Sequence, residues 1–202
     1  MDYTCINGSD SIHIFGAYLI TIPTRSKTAK PKQGVENRVL SMWKKLGGNP
    51  LGRKLFNLTL VRSVPYSGSI KADVIHLEAG FVQVALKDRR KIRNHLNSIH
   101  AIALANLGEL ASGLAMITAL PSGTRSIVTH LDIEYLKKAR GRLCAEGRAT
   151  PPKMINDSVE SLATADILDE EGDLVACVSV LWRLSPNPLK LDSENSHAKG
   201  AG

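Results

Sequence analysis

The residues of this sequence that are best suited to acid–base or nucleophilic chemistry are Asn94, His100 and Glu109. Glu109 is the only Asp, Glu, Lys or Arg in the apolar stretch Asn97–Leu120, which ends at Pro121. A carboxylate in apolar surroundings has a raised pKa and can act as a general base or a nucleophile. The competing interpretation is structural, with Glu109 at the rim of an interface, meeting a backbone donor or water. The residues alone favour the structural interpretation, and both remain open.

The spacing of His100 and Glu109 limits how they could cooperate. They lie nine residues apart, which on a helix corresponds to ~13.5 Å of rise and half a turn of rotation. Two such side chains cannot touch within one chain. If they belong to one site, that site is shared between two copies of the chain.

Two clusters of basic residues flank the apolar stretch, at Lys87–Arg93 and at Lys137–Arg142. The chain has 26 Lys and Arg against 19 Asp and Glu, a net charge of +7, which favours an anionic partner. Each cluster is either a solvated strand end or a site for phosphate groups. Aromatic residues make up only 4% of the chain and no helix–turn–helix pattern is present, which argues against a nucleic-acid partner.

The stretch Asn97–Leu120 is the strongest helix signal in the sequence. One face carries seven apolar side chains that should pack on a sheet: Ala103, Leu104, Leu107, Leu110, Ala111, Leu114 and Ile117. The other face, from Ile102 to Met116, is not a solvated face either, because Glu109 is its only charge. We therefore expect both sides to be covered, the second one by another copy of the chain.

Other periodic segments define the remaining elements. Two short helices are expected around Val39–Leu46 and Pro50–Val61, with Asn49 as N-cap of the second. Six strands are predicted, at Ser69–Leu77, Gly80–Asp88, Arg125–Lys138, Arg142–Ala149, Val159–Leu168 and Leu174–Leu184. Strands grouped on either side of one helix indicate an α+β fold with an antiparallel sheet. The pattern excludes Rossmann and P-loop folds.

Composition bounds the organisation of the chain. Residues 1–34 are interpreted as an irregular or disordered extension, 35–184 as the folded domain and 185–202 as a disordered tail. The three cysteines show no metal-ligand or disulfide spacing, so no metal is expected and the compartment is predicted to be cytoplasmic. Ile12–Ile22 lacks the flanks of a signal peptide, and no membrane span is predicted.

The segment Asn94–Glu109, followed by Glu134–Gly141, resembles the hotdog-fold acyl-CoA thioesterases of the phenylacetic-acid-degradation (PaaI) type. The resemblance covers about residues 37–184 and is closest to a branch known mostly as a domain of unknown function. The family pattern is an Asn, a His six residues later followed by Gly-Gly, and an Asp or Glu nine residues beyond the His. Asn94, His100 and Glu109 fall at these spacings, with Ala101-Ile102 replacing the glycines.

The resemblance implies a hotdog fold in which an antiparallel sheet wraps the long helix. It implies hydrolysis of an acyl or aroyl thioester of coenzyme A, or of acyl carrier protein, in a homodimer or dimer of dimers. The backbone N–H of Ala101 would polarise the thioester carbonyl, Glu109 of the partner would attack or activate water, and Asn94 and His100 would position the reactants. Lys138 and Arg140 would bind the phosphates of coenzyme A. The alternative is a non-catalytic thioester-binding or interaction module on the same fold.

Overall fold

The computed structural model describes residues 37–187 and, in addition, the backbone of two short strands, β1 (Ile12–Phe15) and β2 (Tyr18–Thr21). The chain divides into two compact units, Met1–Gln33 and Gly34–Gly202. In the first unit β1 and β2 pair as an antiparallel hairpin, with Ile12 opposite Thr21. This hairpin was not predicted from the sequence, which was interpreted as an irregular or disordered extension over residues 1–34. The predicted C-terminal tail lies largely outside the described residues.

The second unit opens with three helices, α1 (Arg38–Leu46), α2 (Pro50–Ser63) and the single turn α3 (Pro65–Gly68). The side chain of Asn49 caps α2 by accepting from Gly52 N–H at 2.8 Å, as its position before Pro50 predicts. The first two helices pack through Trp43 and Phe56, whose rings meet edge to face at 5.0 Å. The buried Asn57 fixes α2 to the sheet because its amide bonds both the N–H and the C=O of Val74.

Six strands form one antiparallel sheet: β3 (Asp73–Glu78), β4 (Phe81–Leu86), β5 (Thr124–Tyr135), β6 (Leu143–Ala149), β7 (Val159–Leu168) and β8 (Leu174–Pro186). Their order is β3-β4-β6-β7-β8-β5, which leaves β3 and β5 at the two edges. The strands confirm the six predicted segments, with ends that differ by a few residues. The expected α+β fold is confirmed.

The long helix α4 (Ala101–Ala119) lies against this sheet and contacts β4, β6, β7 and β8. Close approach depends on glycine: a side chain at Gly108 would meet Val178 of β8 at 2.3 Å, and one at Gly147 of β6 would meet the backbone of Ala111. Helix α4 is apolar and long enough to cross a membrane by composition, but most of it is buried in this core. Its length therefore reflects a core helix rather than a membrane span.

The helix begins later than predicted, at Ala101 rather than Asn97. Asn97 has a φ of 55°, a left-handed conformation that no helical residue adopts. The segment before Ala101 is instead a hydrogen-bonded loop that is preceded by a short 3-10 helix, Arg90–Ile92.

Most of the far side of α4 is covered within one chain rather than by a second copy, which differs from the expectation. Asn106, Gly108, Ser112, Gly113 and Met116 belong to that side, and all are buried within one chain. All six strands of the sheet contact α4, and α3 packs on it as well. A narrow, partly exposed strip remains, in which Ile102 is exposed and Ala105 and Glu109 are half-buried.

Candidate active site

The loop before α4 is shaped by Asn94. Its Oδ1 accepts hydrogen bonds from Leu96 N–H at 2.9 Å and from the N–H and hydroxyl of Ser98, each at 3.2 Å. Its backbone N–H donates to Ser98 C=O at 2.8 Å. The carbonyl side of the Asn94 amide is therefore occupied by loop contacts, and this residue positions the start of the helix.

His100 is the N-cap of α4. Its Nδ1 accepts from Ile102 N–H at 3.1 Å, which selects the tautomer with the proton on Nε2. The carbonyl of His100 takes the N–H groups of Ala103 and Leu104. The N–H of Ala101 has no acceptor among the described residues, so it is the one free donor in the first turn of the helix.

Tyr135 holds the helix start to the end of strand β5. Its hydroxyl donates to Ala101 C=O at 3.0 Å. Burial raises the pKa of the Tyr135 phenol, so the group stays protonated and keeps this bond. Sequence reasoning missed Tyr135, because nothing in an alternating strand indicates which hydroxyl will reach a helix terminus.

Glu109 lies in the middle of α4 and is half-buried. Burial raises its pKa above the ordinary value, and a hydrogen bond from the Ser67 side chain partly opposes that rise. Beside it, Gly113 leaves room between the Glu109 carboxylate and the Trp182 ring. Ser67 is a second residue that sequence reasoning missed. It belongs to α3, and only the packing of α3 on α4 brings it to Glu109.

Buried polar atoms without a hydrogen-bond partner among the described residues include Asn106 Oδ1 on α4 and Trp182 Nε1, in the ring that lies beside Gly113. Asn106 precedes Glu109 by nearly one helical turn, so the two share a face of α4. Its amide nitrogen donates to Tyr66 C=O at 3.3 Å. Among the described residues, Asn106 thus keeps an unused acceptor and Trp182 an unused donor.

Within one chain the Ala101 N–H and Glu109 are separated by more than two turns of a straight helix. The structure therefore brings Asn94, His100 and Ala101 together at the start of α4 but leaves Glu109 apart from them. No contact between His100 and Glu109 within the chain is observed, in agreement with the spacing argument.

The second basic cluster packs beside the helix start. Ile99 N–H donates to Ala139 C=O at 2.9 Å, so Lys138 and Arg140 flank the loop that leads into α4. Both are exposed, and neither forms an ion pair among the described residues. By contrast, Lys137 binds Asp169 and Asp173, and Arg93 binds Asp88 at 2.7 Å. The loop region thus keeps free positive charge at Lys138 and Arg140.

The described part of the chain contains no group of three or more His, Cys, Asp or Glu that could hold a metal ion. The groups that the structure does place at the candidate site are the Glu109 carboxylate, the free Ala101 N–H and the cations Lys138 and Arg140.

A long helix enclosed by an antiparallel sheet, with polar residues at the helix start, defines the hotdog class of folds. The chain belongs to the family described as Domain of unknown function (DUF4442), which it matches over residues 52–184. No protein among those with curated annotation matches the sequence.

Solved structures agree with the fold. A probable thioesterase of Pseudomonas aeruginosa is 22% identical, with a TM-score of 0.59 over 66% of this chain and 95% of the other. The PaaI protein of Escherichia coli, from the phenylacetic acid degradation operon, is 16% identical, with a TM-score of 0.52 over 65% of this chain and 92% of the other. A Haemophilus influenzae thioesterase is 13% identical, with a TM-score of 0.55 over 65% and 90% of the two chains. At these identities the likeness establishes the fold.

Proposed function

We propose that this protein hydrolyses an acyl or aroyl thioester of coenzyme A in the cytoplasm, at a site shared between two copies of the chain. The observation that carries the proposal is that one helix holds two reactive groups. They are the half-buried carboxylate of Glu109, whose pKa is raised, and the free backbone N–H of Ala101 at the start of the helix. A helix N-terminus carries partial positive charge, which suits a developing oxyanion. Structural neighbours that are described as thioesterases support the same reaction class.

In the proposed reaction, the thioester carbonyl accepts a hydrogen bond from Ala101 N–H of one copy. Glu109 of the other copy removes a proton from water, which attacks the carbonyl carbon, or attacks that carbon itself. The tetrahedral intermediate then expels the thiolate of coenzyme A, which takes up the proton. When Glu109 attacks directly, water hydrolyses the resulting anhydride in a second step. Asn94 and His100 hold the donor in place.

A second copy is needed because the two groups are too far apart within one chain. Strand β5 offers a route to it, since it is an edge strand with exposed apolar side chains: Ile127 is 64% exposed, Leu131 36% and Tyr135 45%. Pairing through this edge would bury these side chains and satisfy the free backbone groups of the strand. The product is a homodimer, or a dimer of dimers if a further face is used.

The decisive experiment replaces Glu109 with Gln, which preserves shape and hydrogen bonding but removes basicity and nucleophilicity. Thiol release from a panel of acyl- and aroyl-CoA substrates should fall by ~10²-fold or more, while thioester affinity persists. Glu160→Gln, a change at an exposed strand carboxylate, serves as the control. A Glu109→Gln variant with wild-type turnover would favour the alternative, a non-catalytic thioester-binding module.

The nucleotide contact is tested separately. Lys138→Ala with Arg140→Ala should weaken the binding of a coenzyme A thioester and leave hydrolysis of a short pantetheine thioester nearly unchanged. The phosphate contacts are remote from the reacting carbonyl, and charge-assisted hydrogen bonds contribute about 1.5–3 kcal/mol each. Lys153→Ala, an exposed lysine between β6 and β7, is the control. Equal losses of activity on both substrates would show that the two cations do not bind the nucleotide of coenzyme A. Weaker binding of an acyl carrier protein thioester, with coenzyme A thioester binding unchanged, would make the carrier protein the partner.

A further inference from the structure

The outer face of α2 carries apolar side chains that the domain does not cover. Leu51 is 78% exposed, Leu55 51% and Leu58 50%. Their spacing of four and three residues places them on one side of the helix. The opposite side carries Phe56, which is fully buried in the core. Helix α2 is thus apolar on both sides, and a helix of that kind is normally covered on both.

The same layer of the molecule is strongly basic. Residues 37–72 contain seven Lys or Arg and not one Asp or Glu: Arg38, Lys44, Lys45, Arg53, Lys54, Arg62 and Lys71. Arg62 extends the leucine row by one further turn, and Lys54 lies at its flank. An occupant of this face must therefore be apolar at the centre and anionic around it.

We propose that the outer face of α2, defined here as Leu51, Leu55, Leu58 and Arg62, docks this protein on an anionic lipid surface. Leucines that are at least half exposed stand out from the surface instead of lining a groove. This shape suits a planar bilayer, which accepts a convex apolar row, better than a protein partner, which needs a complementary cleft. The surrounding cations attract the anionic headgroups. Tyr66, which follows the helix and is 74% exposed, has an apolar ring and a polar hydroxyl, a combination suited to the headgroup region.

The geometry leaves this face available in a dimer. Helix α2 is bound to β3 through Asn57, and β3 is the edge of the sheet opposite to β5. We therefore expect pairing of two copies through β5 to leave Leu51, Leu55 and Leu58 uncovered. The docking proposal does not depend on thioester hydrolysis and can be tested without a substrate.

The test uses the full chain and flotation with vesicles of phosphatidylcholine and phosphatidylglycerol, compared with phosphatidylcholine alone. The wild-type chain should float with the anionic vesicles and not with the neutral ones, and 0.5 M salt should reduce binding, because screening weakens the attraction of the cations. The triple variant Leu51→Gln, Leu55→Gln and Leu58→Gln should bind at least tenfold more weakly. Lys54→Gln with Arg62→Gln should also weaken binding.

Matched controls separate this face from the rest of the surface. Met154→Gln changes a side chain outside α2 that is 74% exposed, close to the 78% of Leu51, and Lys153→Gln removes a cation there. Both should leave binding unchanged. Failure of the wild-type chain to float with anionic vesicles overturns the proposal. Undiminished vesicle binding by the triple leucine variant also overturns it, because binding would then depend on charge attraction alone. A change of oligomeric state in that variant would also overturn it and make a second copy the occupant.

Discussion

At the scale of single residues, the first turn of α4 leaves one backbone donor free. His100 satisfies Ile102 N–H with its imidazole and takes two further N–H groups with its carbonyl. Only Ala101 N–H remains, and Lys138 and Arg140 flank Ala139, whose carbonyl binds Ile99 N–H in the preceding loop. The replacement of the family glycines by Ala101-Ile102 does not remove this donor, because every residue except proline carries an N–H.

Ala101→Pro therefore deletes this donor and little else. Proline is favoured at the first position of a helix, and the backbone of His100 (φ −67°, ψ 139°) suits a residue that precedes proline. Turnover should fall by about 10²–10³-fold, the usual loss for one oxyanion donor, while the melting temperature stays close to that of the wild type. Ala101→Ser, which keeps the N–H, should retain activity. Equal activity in the proline variant would exclude this N–H from the reaction.

The hydrogen bond from Ser67 affects the pH at which Glu109 can act. Because this bond favours the charged carboxylate, Ser67→Ala should raise the already elevated pKa of Glu109 further. The rising limb of turnover against pH should then move to higher pH, with the plateau rate largely kept. Ser63→Ala is the control, since that hydroxyl bonds Thr59 C=O within α2. Superimposable pH profiles for Ser67→Ala and the wild type would rule out this role.

The raised pKa of Glu109 also has a consequence for stability. A carboxyl whose folded-state pKa exceeds its unfolded value stabilises the fold at pH below the unfolded pKa, and this contribution is lost as pH rises through the folded pKa. Ionisation of the half-buried Glu109 above its folded-state pKa therefore lowers the free energy of unfolding. Glu109→Gln should match or exceed the wild-type melting temperature at pH 7, with any gain vanishing in acid. A markedly less stable Gln variant at pH 7 would contradict this.

At the scale of elements, glycines decide how closely α4 approaches the sheet. A Cβ at Gly108 would lie 2.3 Å from Val178 Cγ2 and 2.8 Å from Val178 Cβ, and Val178 is itself buried. At Gly113 the nearest atom is Trp182 Cζ2 at 3.4 Å, an ordinary contact. The two glycines share one helix but differ in what surrounds them.

Replacement by alanine should therefore affect the free energy of unfolding differently at the two positions. Gly108→Ala should destabilise the fold by about 1–3 kcal/mol, because Val178 is β-branched and cannot move aside without strain. Gly113→Ala should be neutral or stabilising by up to ~1 kcal/mol, since alanine is the better helix former. Urea unfolding of both variants measures the difference. Equal destabilisation at the two positions would mean that the helix–sheet contact is not the determining factor.

At the scale of the whole molecule, the two halves of the proposed site lie on different parts of α4, and β5 is an unpaired edge. If two copies pair, each site combines the Ala101 N–H of one with the Glu109 of the other. A mixture of two inactive variants can then regenerate an intact site.

Ala101→Pro and Glu109→Gln chains, refolded together, should recover about a quarter of wild-type activity, because half of the dimers are hybrids with one intact site of two. Each variant refolded alone should stay inactive. Absence of recovery from verified hybrids would place the reaction within one chain.

Light scattering of Ile127→Lys with Leu131→Lys, compared with Met154→Lys, should show loss of the dimer only in the β5 variant.

Much of the architecture was determined by the sequence itself, because hydrophobic periodicity and the residues that cap helices or form turns act over a few neighbouring positions. The alternation in Val159–Leu168 predicted β7 to the residue, and Asn49-Pro50 predicted the start of α2. The spacing of the candidate site residues Asn94, His100 and Glu109 could also be read from the sequence, since all three lie within one contiguous segment. The start of α4 was misplaced, because the left-handed backbone of Asn97 depends on the Asn94 hydrogen bonds that no propensity records.

Only the tertiary structure decided what surrounds those residues. Ser67 and Tyr66 reach α4 from a helical turn some forty residues earlier, and Tyr135 reaches Ala101 from the end of a strand that follows the helix. Most of the surface of α4 is covered within one chain because six strands and α3 all contact it, which side-chain periodicity does not encode. A sequence reports which side of an element is apolar, whereas the neighbour that meets this side is set by long-range packing. For this reason the exposed leucines of α2 and the hydrogen bond to Glu109 became visible only in three dimensions.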